Sequence, residues 1–293
     1  MGEHTTPAAS TENGGKWLTR ERDHGRGHAE QAALSDLLAG ISDRVLDAAQ
    51  VRPGDRLLDI GAGTGLLTHA AADRVAPTGT VLAVDLAVSA LAEITRTQRA
   101  IFPVAGDAGR LPIAASSMDR VVARSVLIYL HDLPGALREV ARVLKPGGVF
   151  AAFEPINARR HHDAVLADIT PAELDAIDRL RQRSSATAAP MLAFSIDALL
   201  DAAQHAGFTS STTETAVTDQ MTTHNQIDAY LHRIPHPGAA HPLDLITNHL
   251  GADLADRYAT AWHQALDHAP DQAGITFTTP VVYLSAQLRQ PAA

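Results

Sequence analysis

The stretch Leu57-Leu58-Asp59-Ile60-Gly61-Ala62-Gly63-Thr64-Gly65 decides the fold of this chain. Its first part is a mainly apolar run that is typical of a buried strand. Three glycines then alternate through the turn that follows. Because glycine tolerates positive φ and has no Cβ, this turn can bend sharply and let a ligand approach the backbone closely. The stretch therefore predicts a strand, a glycine loop and a helix that bind a nucleotide-like cofactor.

The spacing of the glycines separates two kinds of cofactor site. A dinucleotide fingerprint requires a small residue three positions after its second glycine. Leu66 stands at that position and is too large to fit there easily. The pattern ends instead at Gly65, as G-x-G-x-G. This spacing argues against a nicotinamide oxidoreductase.

The composition excludes several further classes of protein. The chain has 293 residues, of which 45% are hydrophobic, so it can bury a sizeable core. Its formal net charge of −9 argues against a nucleic-acid partner. The absence of cysteine excludes disulfides, zinc–thiolate sites and thiol nucleophiles. No apolar run is long enough for a membrane span, and we expect a soluble, cytoplasmic protein.

Strands and amphipathic helices alternate on both sides of the glycine loop. This alternation predicts an α/β fold with a parallel, doubly wound sheet. After the first strand, the strand-like segments are 80–86, 100–105, 119–125 and 149–153, and an amphipathic helix spans 132–144. Lys145-Pro146-Gly147-Gly148 ends that helix, since proline and glycine commonly follow a helix.

The rhythm changes after Glu154, where mainly helical segments appear. Thr170-Pro171-Ala172-Glu173 is a capping box that opens one helix, and Ser195 caps another. Strand patterns return at 208–217 and 275–288. We predict a disordered tail (1–15), an N-terminal helical lid (16–50), a cofactor-binding core (51–156), a helical cap insert (157–190), a core helix and strand (191–218), a second cap insert (219–274) and a last core strand with its tail (275–293).

Four further features follow the glycine loop in order. Asp85 stands twenty residues after Gly65, where a carboxylate can accept both ribose hydroxyls. Gly106-Asp107-Ala108 follows the third strand. The segment 111–122 leads into the fourth strand, and the Lys-Pro-Gly-Gly turn precedes the fifth. Together these motifs resemble class I S-adenosylmethionine (SAM)-dependent methyltransferases, above all the ubiquinone/menaquinone-biosynthesis type and the small-molecule enzymes of bacterial specialised metabolism.

The resemblance covers 56–153 well and the remainder only by the order of its elements. It implies a Rossmann-like, seven-stranded sheet with an antiparallel last strand and a helical cap, and SAM as the cofactor. In this family, an acid at Asp107 caps the adenine amino group, and the end of the fourth strand holds the methionine ammonium. Met118 replaces the usual phenylalanine and can fill the same apolar gap. The predicted cofactor contacts are Asp59, Gly61, Ala62, Gly63, Gly65, Asp85, Leu86, Asp107, Ala108, Arg124, Ser125 and Arg20.

The acceptor side is less well marked. By family analogy, Tyr129 and His131 lie in the right neighbourhood to be catalytic residues, while a structural role for His131 is equally open. Trp17 and Arg20 could cover the methionine end of the cofactor, although a packing role is favoured. Glu154 either points into the site or caps the next segment. The fifteen histidines are scattered without metal-ligand spacing, and we predict no metal.

The sequence predicts an enzyme that moves the methyl group of SAM to oxygen, nitrogen or carbon of a small molecule, in the biosynthesis of a specialised metabolite. A SAM-binding protein of the same fold that catalyses a non-methylating reaction, such as a cyclisation, is the alternative. A binding module without turnover is less favoured because both nucleoside acids are present. The two helical inserts admit either a monomer or a homodimer.

Overall fold

The computed structural model describes residues 28–94, 100–183, 188–234, 236, 239–270 and 274–290. The predicted disordered tail and the residues Trp17 and Arg20 lie outside these ranges. The predicted lid is described only from His28 onward.

Eight strands and ten α-helices are present in the described part of the chain. The strands are β1 (Arg56–Ile60), β2 (Thr80–Asp85), β3 (Ile101–Ala105), β4 (Met118–Arg124), β5 (Leu144–Pro155), β6 (His161–His162), β7 (Phe208–Met221) and β8 (Ile275–Leu288). The helices are α1 (His28–Ala48), α2 (Leu66–Val75), α3 (Val88–Ala92), α4 (Leu133–Val143), α5 (Pro171–Arg183), α6 (Ala188–Ala193), α7 (Ile196–His205), α8 (His224–His232), α9 (Pro242–Leu250) and α10 (Ala252–Asp267). Short 3₁₀ turns lie at Leu127–Tyr129 and Asn157–Arg159.

The strands form one mixed sheet, and β1 is the central strand of its parallel part. The parallel part has the order β3-β2-β1-β4-β5, and β8 lies antiparallel beside β5. Strand β7 pairs with β8 along its whole length, while the two-residue β6 pairs with the first part of β8 on the opposite side. The predicted α/β class and the antiparallel last strand are confirmed. The short β6, which has only two residues, is an addition to the seven predicted strands.

Alternation along the strands divides the apolar side chains between the two faces of the sheet. Leu58 and Ile60 of β1 pack with α4 and α7, whereas Leu57 packs with α1 and α2 on the other face. All three side chains are at most 2% exposed. The two-residue period of a strand thus produces the doubly wound arrangement.

A third apolar cluster lies within the helices that follow β5. Its centre is Trp262 of α10, which is fully buried and stacks on Phe277 of β8 with ring centroids 5.7 Å apart. Helices α5, α8, α9 and α10 contribute most of the other members. We call the unit built by these helices the cap.

Most predicted element ends agree with the structure to within a few residues. The capping box is present, since the Thr170 amide donates to Glu173 and the Glu173 amide donates to the Thr170 hydroxyl. Three boundaries differ from the prediction. Strand β5 begins at Leu144, five residues before the predicted 149, so the segment 145–148 lies within the strand and not in a turn before it. Helix α6 continues across the boundary that we predicted between 190 and 191, and β7 extends to Met221, three residues beyond 218. Within the described ranges, no helix has both the length and the apolar character needed to cross a membrane.

Candidate functional site

The predicted cofactor residues that the structure describes, which leaves out Arg20, gather at one edge of the sheet. Ile60, Val84 and Ala123 are level with one another in the register of β1, β2 and β4, so the residues that follow them leave the sheet side by side. Strand order reverses at β1, and open α/β sheets bind ligands at such a switch point. We call the carboxyl ends of β1, β2 and β4, with the loop 61–65, the cofactor edge.

The glycine loop holds a conformation that other residues adopt only with strain. Gly61, Gly63 and Gly65 all have positive φ, at 67°, 54° and 92°. A Cβ at Gly61 would lie 2.2 Å from Cγ2 of Val126, and one at Gly65 would lie 2.9 Å from Cγ1 of Ile94. Side chains therefore pack closely against one side of the loop, and the other side of the loop presents backbone atoms. The amide of Ala62, another predicted contact, donates to Val84 O at 3.1 Å.

Asp85 fastens this loop to the end of β2. One carboxylate oxygen accepts the Gly63 amide at 2.8 Å, and the other accepts the Ala87 amide at 2.7 Å. An ionised carboxylate has about four acceptor positions, so two remain for a ligand. Asp85 thus has the capacity for the predicted bonds to two ribose hydroxyls, and it also shapes the loop.

Asp59 lies beneath the loop and only 1% of it is exposed. The Thr68 hydroxyl of α2 donates to it at 2.6 Å. Burial raises the pKa of Asp59 to about 7, although the bond from Thr68 and the charge of Arg124 act in the opposite direction. In this structure Asp59 ties β1 to the start of α2, and its predicted contact with the cofactor stays a prediction.

Glu154 caps a segment, but this segment precedes it in the chain and is not the following one that the sequence suggested. It is fully buried at the end of β5, and its carboxylate accepts the amides of Val126 at 3.0 Å and Leu127 at 2.9 Å. Burial raises its pKa to about 7 against the lowering effect of these bonds and of Arg124. Glu154 therefore caps the 3₁₀ turn after β4 and holds Val126 against Gly61.

The end of β4 carries the two remaining predicted contacts on this side. The positive charge of Arg124 lowers the pKa of both Asp59 and Glu154. Ser125 has a positive φ of 55° and donates its amide to Phe153 O at 2.8 Å. A non-glycine residue in this conformation is strained, and such strain often marks functional sites.

The adenine end of the predicted site is open. Leu86 is 53% exposed at the end of β2. Asp107 is exposed after β3, and its carboxylate accepts the Gly109 amide at 2.7 Å, which makes it a turn former here. Ala108 is nearly buried behind it. Whether Asp107 also caps an adenine stays a prediction.

The two predicted catalytic residues have different surroundings. Burial, followed by the charge of Glu154, raises the pKa of Tyr129 to about 12, so its hydroxyl stays protonated at neutral pH and can only donate or accept a hydrogen bond. His131 is exposed just before α4. Both residues follow β4, one of the strands that end at the cofactor edge. Neither of them lines the cavity between the cap and the sheet, which is described next.

A cavity of about 950 Å³ lies between the cap and the sheet. We call it the cap cavity. Its walls come from α1, α5, α6, α8, α9, the last residues of β7, the first residues of β8, the turn after β5 and the segment between α8 and α9. Because β8 runs antiparallel to β5, these ends of β7 and β8 lie on the same side of the sheet as the carboxyl end of β5. The cap cavity therefore lies at the same end of the parallel strands as the cofactor edge.

Sequence reasoning missed several residues of this site. Thr68 is a buried hydroxyl on an otherwise apolar helix face, and that mismatch was a usable signal. Val126 and the cavity walls carried no comparable signal, because only tertiary packing brings them into place. Among the described residues, no group of three or more His, Asp or Glu side chains could hold a metal ion.

The strand order, the antiparallel β8 and the glycine loop after β1 define the Rossmann-like fold of the class I SAM-dependent methyltransferases. The solved structure of the YcgJ protein from Bacillus subtilis shares this fold. It superposes with a TM-score of 0.54 at 19% identity, over 87% of this chain and all of that one.

Residues 58–152 match the family described as "Methyltransferase domain", so this part of the chain is a methyltransferase domain. The ubiquinone/menaquinone biosynthesis C-methyltransferase UbiE of Ectopseudomonas mendocina is 36% identical over 138 residues, which cover 43% of this chain and 54% of that protein. Nocamycin O-methyltransferase of Saccharothrix syringae is 33% identical over 41% of this chain and 49% of its own length. The chain thus spans about half the length of these curated relatives, and the matched part is the domain with the glycine loop.

Proposed function

We propose that this protein is an enzyme that binds SAM at the cofactor edge and methylates a small organic molecule held in the cap cavity. One observation carries the proposal. Asp85, at the end of β2, holds the positive-φ glycine loop in place and keeps acceptor capacity for a nucleoside. The membership of 58–152 in the methyltransferase family supports the same reading.

The residues present fit SAM as a cofactor. The loop 61–65 offers close approach to backbone, because its positive-φ glycines have no side chains on the open side. Leu86 and Val88 expose 53% and 64% of their surface beside Asp85, and this apolar surface suits the face of an adenine ring. Asp107 stands one strand further out, at the place where the adenine amino group is expected.

When bound, SAM supplies an electrophilic methyl whose bond to sulfur breaks as the bond to the acceptor forms, with the electron pair left on sulfur. The protein's contribution is alignment of the acceptor in a closed cavity. Where the acceptor atom carries a proton, that proton passes to water or to a base. His131 and Tyr129 stay predictions for this step, because neither of them lines the cap cavity.

Several features favour a small acceptor. The cap cavity, at about 950 Å³, lies at the upper end of the usual size for small-molecule sites. A net charge of −9 disfavours a nucleic-acid acceptor. The match to nocamycin O-methyltransferase makes a specialised metabolite the favoured kind of substrate.

Calorimetry with SAM and S-adenosylhomocysteine tests the cofactor site first. We expect a 1:1 complex with the wild type and an affinity at least tenfold lower in Asp85→Ala, which corresponds to about 1.4 kcal/mol. Asp85→Asn keeps one carbonyl oxygen for a loop amide and should lose less. Asp201→Ala, which removes an exposed carboxylate from α7, is the matched control and should bind like the wild type.

The transfer itself is then measured with methyl-labelled SAM and a panel of small acids, phenols and amines. Label in any acceptor supports the proposal. A folded wild type that produces no heat with either nucleoside would remove the basis for it.

A further inference from the structure

The wall of the cap cavity carries an excess of positive charge in a protein that is acidic overall. Arg160, Arg181 and Arg233 line it, together with two acids, Asp178 and Asp219. The acids are both exposed, whereas Arg181 and Arg233 are partly buried. This difference in exposure places the two acids on the solvent side of the cavity. Arg181 and Arg233, which we call the inner arginines, face its enclosed part.

Arg181 keeps its charge although it is deeply placed. Burial alone would lower its pKa, but Tyr258, Tyr230 and Asp178 more than offset burial, and the pKa is raised above the ordinary value. Its guanidinium also lies over the ring of Tyr258, with 5.6 Å from Cζ to the ring centroid. A cation held rigidly against aromatic rings is preorganised for a planar anion.

Further donors accompany the inner arginines. The amide nitrogen of Asn157 is buried in the cavity wall and meets no hydrogen-bond acceptor in the described part of the chain. Buried amide groups nearly always have a partner, so a bound group that accepts hydrogen bonds would satisfy it. His236, which is 9% exposed, lies in the same wall beyond Arg233.

Apolar side chains form another part of the wall. Phe277, Met191 and Leu245 belong to this part, and the guanidinium of Arg160 lies 5.0 Å from the centroid of the Phe277 ring. An occupant therefore meets donors, positive charge and apolar surface within one cavity. Such a lining suits a molecule with an acidic group and a hydrophobic body.

We propose that the acceptor of this enzyme is a carboxylic acid with an apolar body, whose carboxylate is bound by Arg181 and Arg233 in the cap cavity. Arg160 flanks the apolar body, and the Asn157 amide donates to the ligand. This inference rests on the proposed function, because it names the class of molecule that the cavity would hold during transfer. The carboxylate serves as the group that is recognised, and the proposal leaves the methylated atom open.

The test compares acids with amides of the same shape. The probes are 3-phenylpropanoate against 3-phenylpropanamide and 2-naphthoate against 2-naphthamide, measured by calorimetry on the wild type with and without S-adenosylhomocysteine. We expect each acid to bind at least tenfold more tightly than its amide. In Arg233→Gln this preference should fall below threefold, while the affinity for the amide stays unchanged.

Two further variants separate charge from folding. Arg181→Lys keeps the charge but not the bidentate geometry, and it should lose at least half of the acid preference on a logarithmic scale. Arg179→Gln is the matched control, because Arg179 lies on the same helix, pairs with Asp175 and is exposed. It should keep the full preference.

Equal binding of acid and amide by the wild type would overturn the proposal. So would a preference that survives in both Arg233→Gln and Arg181→Lys, or acids that bind more weakly than about 10 mM. Binding of S-adenosylhomocysteine is recorded in the same experiments. Its failure would count against the proposed function, while the acid preference measured without nucleoside still decides the chemistry of the cavity.

Discussion

The cofactor edge and the cap cavity lie on the same side of one sheet, yet they are built in opposite ways. The cofactor edge comes from short stretches that directly follow β1, β2 and β4, and backbone groups form most of its contacts. The cap cavity is assembled from side chains of five helices and two strand ends that are far apart along the chain. Backbone geometry requires glycine at fixed spacing, whereas a cavity wall accepts many combinations of side chains.

This difference implies different responses to substitution. A change at the cofactor edge should alter nucleoside binding and stability together, because the glycine loop packs directly against the core. A change in the cap should alter acceptor binding with little effect on the nucleoside. The predictions below test this separation, beginning with the largest expected effect.

Gly61→Ala should have the largest effect. The new Cβ would overlap Val126 and sit at a φ of 67°, which costs about 2–6 kcal/mol when strain and overpacking are added. Unfolding by urea and calorimetry with SAM measure the two consequences, and both stability and affinity should fall. Gly40→Ala is the control, since Gly40 is exposed in α1 with nothing within 4 Å. It should stabilise the protein by about 0.5–1 kcal/mol.

Trp262→Ala should cost about 3–5 kcal/mol, because it leaves a large cavity in the cap cluster. Phe277 loses the ring that stacks on it, so the binding of carboxylate probes should weaken at least fivefold. Binding of S-adenosylhomocysteine should change less than twofold. A parallel loss of nucleoside affinity would show that the two regions are not separable.

Acidic residues of the two regions should respond to pH in opposite directions. Glu154, with its pKa raised to about 7 by burial, contributes stability that is present below its unfolded pKa and lost as pH rises through about 7. Glu154→Gln should therefore change the slope of unfolding free energy against pH, between about pH 5 and 7, by up to about 1.4 kcal/mol per unit. Its amide oxygen can still accept the Val126 and Leu127 amides.

Glu173 of the cap is the counterpart. Arg257, and then Thr170, lowers its pKa to about 2, so its contribution is present above the unfolded pKa and lost as pH falls through about 2. The difference in stability between the wild type and Glu173→Gln should shrink as the pH is lowered from 6 to 2. A difference that stays constant over this range would contradict the assignment.

Two helix caps provide the smallest expected effects. Ser195 caps α7 beside the sheet, and Thr223 forms a capping box with Gln226 at the start of α8. Replacement of either by alanine should cost about 1 kcal/mol in denaturant unfolding. Only Thr223→Ala should also weaken the carboxylate probes, because Gln226 lines the cap cavity. Equal affinity of the two variants for the carboxylate probes would contradict this distinction between the regions.

Most of the sheet and of the cofactor edge could be predicted from the sequence. The loop 61–65 is recognisable because its function needs backbone positions that only glycine takes without strain, at a spacing that the turn determines. Helix α4, which is capped by Asp132, was equally predictable, because a helix cap acts within a few residues. These predictions depend on local physics.

The parts that could not be predicted depend on long-range packing. Glu154 could equally have faced a ligand, and only its bonds to amides 28 and 27 residues earlier show that it caps a turn. Asp107 forms a turn with Gly109, a contact that does not decide whether it also binds the cofactor. The arginines of the cap cavity come from three separate elements, so no spacing in the sequence brings them together.

Strand β8 has a consequence for how the protein forms during synthesis. Its residues enter all three apolar clusters: Phe277 the cap, Tyr283 one face of the sheet and Leu284 the other. A ribosome makes β8 after every other described element, so none of the three clusters can close while the rest of the nascent chain emerges. Until then the edge of β5 and a long stretch of apolar surface are exposed, which is the condition that chaperones recognise. The protein is therefore expected to complete its folding in one late step, with cap and sheet together.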